Sequence, residues 1–522
     1  MSFDIRAVFP RSICLEMQSS EIYETAPYRI LLNGEERLAD TRNAVSLFGL
    51  SPDTEYSLTV IRGEERTEQR FRTNRESVLL NVRDFGAAGD GVTNDTAALQ
   101  AAIAACPAEG TVSFPAGTYL SGPLFLKSRI RLYLEKDAVL LGDPERAHYP
   151  LLPGMTEGAE GEYNLASWEG NPETSFASLL TGIDVTELDI YGEGTIDGNA
   201  DCADWWVDPK RKRTAWRPKT IFLCRCEGVR MQGITVRNSP SWTIHPYYSE
   251  RIALYNAEIW NPSDSPNTDG FDPESCRDVL LLGCRISVGD DCIAIKSGKL
   301  YMSTHYHRAA ECITVRNCLL ERGHGSVTIG SEAAGGVADV EVSQCIFRGT
   351  DRGLRIKTRR GRGPYTVYDG IRFHDIRMED VLMPFTLNMF YFCDPDGHSD
   401  YVQNQTALPV DERTPRIGTI TAENIRCTGA EACILCAYGL PEQYIGCLRL
   451  RNIEAVFRPR AERKPRQAIM MDHFPDLDGV SVYARNVQKL VLDRLSIAGS
   501  ADEEPQLINV NEYDSQNVVY HT

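Results

Sequence analysis

From about residue 180 the apolar positions fall into a loose repeat. An apolar side chain at a position p is followed by others at p+2 and p+7, with Gly, Asn, Asp or Gln at p+4. The pattern starts at Val229, Ile252, Val279, Ile313, Val340 and Ile371, at intervals of 23 to 34 residues, and more loosely at Ile420 and Leu448. Alternation at p and p+2 is the strand period, and the p+4 residue types favour a turn. Short strands joined by turns in coils of this length are the signature of a solenoid. Upstream, the stretch Asn94-Asp95-Thr96-Ala97-Ala98-Leu99-Gln100-Ala101-Ala102-Ile103 reads as a capped helix, with hardly another strong helix signal after it. One helix followed by strands predicts an all-β chain built on a parallel β-helix. Its coils would stack at about 4.8 Å, and the helix would cap the open end of the core. A large β-sandwich competes, but it gives no reason for a persistent coil length.

The first 75 or so residues read differently, as short alternating strands separated by turn residues. In Leu50-Ser51-Pro52-Asp53-Thr54-Glu55-Tyr56-Ser57-Leu58-Thr59-Val60, a Pro-Asp turn leads into a strand whose Tyr56, Leu58 and Val60 share one face. This resembles the L-x-P-x-T-x-Y corner of fibronectin type III domains, in which a tyrosine hydroxyl pins the corner of a β-sandwich. The expected organisation is a small β-sandwich over residues 1–76 and a β-helix over 77–522. Segments near 142–178, 299–311 and 393–416 interrupt the coil pattern and are expected to form groove-side loops.

Composition narrows the partners. The chain has 522 residues, with 55 Lys+Arg against 73 Asp+Glu and a formal net charge of −18. A body this negative argues against nucleic acid or an anionic membrane surface. No apolar run approaches the ~18 residues needed to span a bilayer. The N-terminus shows no signal-peptide h-region, so a cytoplasmic location is expected unless a leader was removed. Sixteen cysteines are read as reduced thiols, because many sit inside apolar strand patterns, such as Cys284, Cys312, Cys318 and Cys345. Cys433 and Cys436 form an isolated CxxC with no second pair nearby, which does not make a zinc site.

Four clusters then fall in successive coils: Asn267-Thr268-Asp269, Gly289-Asp290-Asp291-Cys292, Gly323-His324-Gly325-Ser326 and Arg355-Ile356-Lys357. Asp269, Asp290, His324 and Arg355 are separated by 21, 34 and 31 residues, about one coil each. Stacked coils would gather them into one patch roughly 15 Å tall. Asn267 with Asp269, and Arg355 with Lys357, lie at i and i+2, so each pair points to one face of a strand. Asp290 and Asp291 are adjacent and can both reach the groove only at a turn or bulge, which Gly289 permits. Three carboxylates crowded together repel one another, so at least one is expected to hold its proton near neutral pH. That provides an acid and a base in one site.

The strings N-T-D-G-F-D (267–272), G-D-D-C-I-A-I-K-S-G (289–298), G-H-G-S-V-T-I-G-S-E (323–332) and R-I-K-T (355–358) resemble the signatures of glycoside hydrolase family 28, the polygalacturonases. The likeness spans roughly residues 80 to 460. It implies a right-handed parallel β-helix that hydrolyses α-1,4-galacturonosidic bonds of pectin with inversion, without metal or other cofactor. By position it implies Asp290 as general acid, Asp269 and Asp291 as the pair that holds and deprotonates water, and His324 as a residue that tunes the acid. Arg355 and Lys357 would grip a galacturonate carboxylate, with Asn267 beside them in the substrate groove. Inversion leaves room for water, with acid and base carboxyls about 6.5–9.5 Å apart. Lys296 either faces the groove or makes a structural ion pair. Trp205 and Trp206 either form a sugar-stacking wall or pack in a lid.

The sandwich and the long insertions resemble the exo-acting branch of the family, in which loops close one end of the groove. The expected partner is therefore a galacturonate-containing pectic oligosaccharide or polysaccharide, cleaved to mono- or digalacturonate. Rhamnogalacturonan hydrolysis, a calcium-dependent pectate lyase and a non-catalytic carbohydrate-binding β-helix are the alternatives. Arg352, Arg355, Lys357, Arg359, Arg360 and Arg362 place six cations in eleven residues. This run supplies a local positive patch that a polyanion could use despite the net charge.

Overall fold

The computed structural model describes residues 2–158 and 161–521. Residues 3–72 form two antiparallel sheets, one of three strands and one of four. Ile13, Leu15, Tyr28, Ile30, Val45, Leu58, Val60 and Phe71 fill the space between them. The Tyr56 hydroxyl accepts a hydrogen bond from the Ser51 amide at 2.9 Å, closing the corner that the sequence pattern marks. The sandwich is locked to the rest of the chain. Phe9, Cys14 and Ala44 pack on Tyr191, Tyr255 and Leu282, and the buried Glu16 carboxylate accepts from Arg316 at 2.6 and 2.8 Å.

Beyond residue 78 the chain is a right-handed parallel β-helix. Its repeat is the one the apolar pattern marks. Val229, Ile252, Val279, Ile313, Val340, Ile371, Ile420 and Leu448 stand in register from coil to coil. They and their p+2 and p+7 partners are buried in one continuous core. Every p+4 residue takes a left-handed conformation: Gly233, Asn256, Gly283, Asn317, Gln344, Asp375, Asn424 and Asn452 have φ between 48° and 72°. Gly tolerates that region freely, and Asn and Asp tolerate it better than most residues, which explains the residue types at p+4. Later in the chain these side chains form a ladder, with Asn424 donating to Asp375 at 3.0 Å and Asn452 to Asn424 at 2.8 Å.

The helix occupies Thr96–Ala105 and turns Leu99, Ala102 and Ile103 onto the end of the core. Its start is held by the Asn94 side chain, which accepts from the Thr96 amide at 3.1 Å. Asp95 instead receives the Ala88 and Gly89 amides. No helix among the described residues is long and apolar enough to cross a membrane. All sixteen cysteines are free, and most are buried. Cys433 and Cys436 lie buried on a single strand, Cys433–Tyr438, packed in the core.

The face that carries the chemistry is a ladder of Asp291–Ile295, Gly325–Ile329, Arg352–Lys357, Met383–Asn388 and Cys433–Tyr438. Phe271 bridges to Ile293 and Glu274 to Lys296, which joins the preceding coil to this ladder.

Candidate active site

The four sequence clusters meet at one cavity of about 260 Å³, lined among others by Asn267, Asp269, Asp290, Asp291, Lys296, His324, Arg355 and Lys357. Every predicted site residue is therefore at the same place. Asp269 and Asp291 are buried at its floor, and Asp290 is partly exposed above them. One carboxylate oxygen from each of the three lies within 4.8 Å of the others.

The backbone explains how two adjacent aspartates both reach the cavity. Asp291 opens a strand, and Asp290 sits in the bend before it. Gly289 is required there by close approach: a Cβ would lie 2.4 Å from the Ser265 carbonyl oxygen and 2.6 Å from that of Pro262. In the next coil Gly323 has φ +87°, and a Cβ there would lie 2.4 Å from the Asp290 carbonyl oxygen. The His324 amide donates to that same carbonyl at 2.9 Å. His324 Nδ1 stands 3.3 Å from the Asp290 carboxylate, with its ring half exposed at the cavity mouth.

Electrostatics separate the three carboxylates. Burial alone would push Asp291 up, but Lys357 at 3.0 Å and Arg355 at 3.2 Å hold it well below the usual carboxylate range. Burial and the Asp290 charge push Asp269 up to about 7, although Lys296 opposes them. The proton expected near neutral pH is thus held at Asp269, which is coupled to its buried neighbour Asp272, a carboxyl that burial and the Asp269 charge push up as well. The Asp290 partner raises His324, favouring the imidazolium beside it.

Lys296 makes the structural ion pairs. Its Nζ lies 3.4 Å from Glu332, 3.6 Å from Asp272 and 3.7 Å from Asp269, and 4.4 Å from the Trp242 ring centre. Asn267 has φ +56°, and its side-chain oxygen accepts from Arg217 at 2.7 Å.

Arg355 and Lys357 line the cavity as expected, but the rest of the cationic run does not form an open positive patch. Arg359 and Arg362 pair with Asp394, and Arg360 is buried against Glu442. Arg352 donates to the carbonyls of Gln467 and Ala468. Trp205 is no sugar wall either. It is buried between Tyr149 and Phe176 with Arg146 over its ring, and Trp206 donates to the Ser239 carbonyl.

The groove-side insertions do reach the cavity. Glu169 comes from the first, and Cys393 and Asp394 come from the third. Lys299, from the second, pairs with Asp394 at 2.9 Å. Trp242, Glu332, Tyr391 and Met470 also line the cavity, as does Lys210, which pairs with Glu169 at 2.8 Å. None of these was identified from the sequence. Glu332 closes the G-H-G-S-V-T-I-G-S-E string, which was the available signal.

The three aspartates are also the one group of acidic or thiol side chains, among the described residues, close enough to share a cation. Lys296, Arg355 and Lys357 already stand among them, so an added cation would have to compete with three fixed positive charges.

The fold and these side chains define a parallel β-helix with a carboxylate centre suited to acid–base hydrolysis. The sequence profile of glycosyl hydrolases family 28 matches residues 145–441. A probable polygalacturonase of Vitis vinifera is 32% identical over 359 residues, covering 66% of this chain and 70% of its own length. The family 28 exopolygalacturonase of Yersinia enterocolitica superposes with a TM-score of 0.72 at 19% identity, covering 98% of each chain. The exopolygalacturonase of Thermotoga maritima gives 0.61 at 24% identity, covering 80% of this chain and 91% of its own. The chain belongs to glycoside hydrolase family 28.

Proposed function

We propose that this hydrolase removes terminal units from oligogalacturonides by cleaving α-1,4-galacturonosidic bonds with inversion. The observation that carries the reading is the division of labour in the cavity: Asp291 fixed as an anion by two cations, Asp269 buried and pushed up to about 7, and Asp290 partly exposed beside His324. Asp290, the most exposed of the three, gives its proton to the leaving glycosidic oxygen. Asp269 and Asp291 flank the attacking water and take its proton as the new C–O bond forms. His324 holds the Asp290 carboxylate in place. Arg355 and Lys357 stabilise Asp291 and offer the nearest positive charge to a uronate carboxylate.

The oxygens lie closer together than the usual inverting ruler of about 6.5–9.5 Å, and nearer to the ~5 Å of retaining enzymes. Inversion is nevertheless the better assignment here. Asp291 is occupied by two cations and Asp269 is buried, so neither is free to approach the anomeric carbon as a nucleophile. Proton NMR of the first product decides this: inversion releases the β-anomer first, and the α-anomer would require a covalent intermediate.

Terminal attack is supported by the loops. Glu169, Lys210, Asp394 and Met470 come from segments outside the regular coils and crowd the small cavity. Product profiling on polygalacturonate, rhamnogalacturonan and defined oligogalacturonides, with a chelator present, tests substrate and mode together. Mono- or digalacturonate should appear from the start, with little loss of viscosity. An early collapse of viscosity would mean internal cleavage. Unsaturated products lost on chelation would mean a lyase.

A further inference from the structure

Of six tryptophans in the chain, five have partners. Trp168 stacks on Trp216 at 4.6 Å and lies alongside Trp242, Trp205 is packed between Tyr149 and Phe176, and Trp206 donates a hydrogen bond. Trp260 differs. It is 45% exposed, and among the described residues its indole makes no hydrogen bond, ring contact or cation contact. It ends the strand Glu258–Trp260, with Arg237 beside it on the preceding coil and Ser287 on the next.

Because Ser287 is small, one side of the indole stays open. The result is a depression of about 380 Å³, bounded across from Trp260 by Glu321 and Arg322. This volume is within the range of small-molecule sites. The other charges nearby are mostly committed. Arg237 pairs with Asp197 at 2.7 Å, and Glu321 is held by Arg285 and Arg348. Arg322 has no side-chain partner among the described residues. With Arg237 and Arg285 already paired, the uncommitted lining charges are the Arg322 guanidinium and the Glu258 carboxylate, which stands two residues before Trp260 and makes no ion pair among the described residues. The depression lies outside the catalytic cavity but on the same coils: Trp260 leads into the segment carrying Asn267 and Asp269, and Arg322 stands two residues before His324.

We propose that this depression is a second binding site for galacturonan, separate from the catalytic cavity. A galacturonate unit presents an apolar face of C–H bonds that can stack on the Trp260 indole, which also leaves the indole N–H free to bond a hydroxyl. The carboxylate of the same unit pairs with the Arg322 guanidinium in a bidentate contact. Such a site keeps a polymer at the enzyme between terminal cleavages. The proposal rests on the galacturonate reading of the catalytic cavity only for the identity of the polymer.

The test is affinity electrophoresis of the full chain through gels containing polygalacturonate or neutral pectic galactan, in an Asp290→Asn background that spares the matrix. Trp260→Ala and Arg322→Gln should each weaken retardation by polygalacturonate about fivefold or more. In the active background, neither should change kcat/KM on trigalacturonate by more than about twofold. Unchanged retardation in both variants overturns the site. So does an equal loss on trigalacturonate, which would reveal a damaged fold or groove. Stronger retardation by galactan than by polygalacturonate would reassign it to neutral sugars and overturn it as well. If retardation depends on Trp260 and Arg322 while no galacturonide is hydrolysed, the site stands and the hydrolase reading falls.

Discussion

The two neighbours Asp290 and Asp291 have the same side chain and opposite surroundings, and their roles follow from the difference. Asp290→Asn keeps the shape but carries no transferable proton, so kcat should fall by about 10²–10⁴ with KM little changed. Steady-state kinetics on trigalacturonate check this, and a change confined to KM would move the acid elsewhere. Asp269 takes the water's proton and must itself be free of one, so the rate should rise as pH climbs through about 7, to which burial and the Asp290 charge push that carboxyl. Lys296 acts to lower Asp269. Lys296→Met should therefore raise that carboxyl further and move the acid limb of kcat/KM to higher pH. A limb that stays put or moves down would separate Lys296 from the titration of Asp269. The same variant leaves three acids without their cation, so thermal melting must show that it remains folded. The sequence motifs made Asp269, Asp290 and Asp291 legible as a group. They could not say which one is held as an anion, because that depends on Lys357 and Arg355 arriving from a strand two coils away.

At the level of the element, the legible feature was the p, p+2, p+7 stripe with its polar or glycine p+4 position. That position reads clearly because backbone conformation selects the residue: all eight p+4 residues are left-handed. The loops were legible as interruptions but not as contacts. Nothing in residues 458–479 marks Met470 as reaching the cavity, since a loop's landing place is set by the coil it folds over. The p+4 ladder is testable by a paired substitution. Asn424→Ala and Asn424→Gly both remove the contacts to Asp375 and Asn452, but only Ala has to hold φ +55° with a Cβ. The Ala variant should be less stable than the Gly variant by about 1–2 kcal/mol. Parallel urea unfolding of the two measures the difference, and equal midpoints would mean the turn carries no such strain.

For the whole molecule, composition was informative about the surface and misleading about the cleft. The net charge of −18 disfavours an anionic polymer as partner, and a run of six cations looked like the local remedy. The structure ties three of those cations, Arg359, Arg360 and Arg362, to acids from distant loops. Their charge is internal to the fold and attracts nothing. What remains for a uronate in the cavity is the short-range field of Arg355 and Lys357, both buried and in contact with Asp291. The two contributions respond differently to salt. The body-wide repulsion reaches across roughly 30 Å at 0.01 M and only about 8 Å at 0.15 M, whereas buried pairs are screened little at either. Raising sodium chloride across that range should therefore leave kcat/KM for trigalacturonate unchanged or increase it, as the repulsion from the acidic shell fades. An enzyme that drew its substrate in by a positive surface would show the reverse. Initial rates at sub-saturating trigalacturonate over the salt series make the distinction, and a several-fold fall would show that long-range attraction, not contact pairing, delivers the substrate.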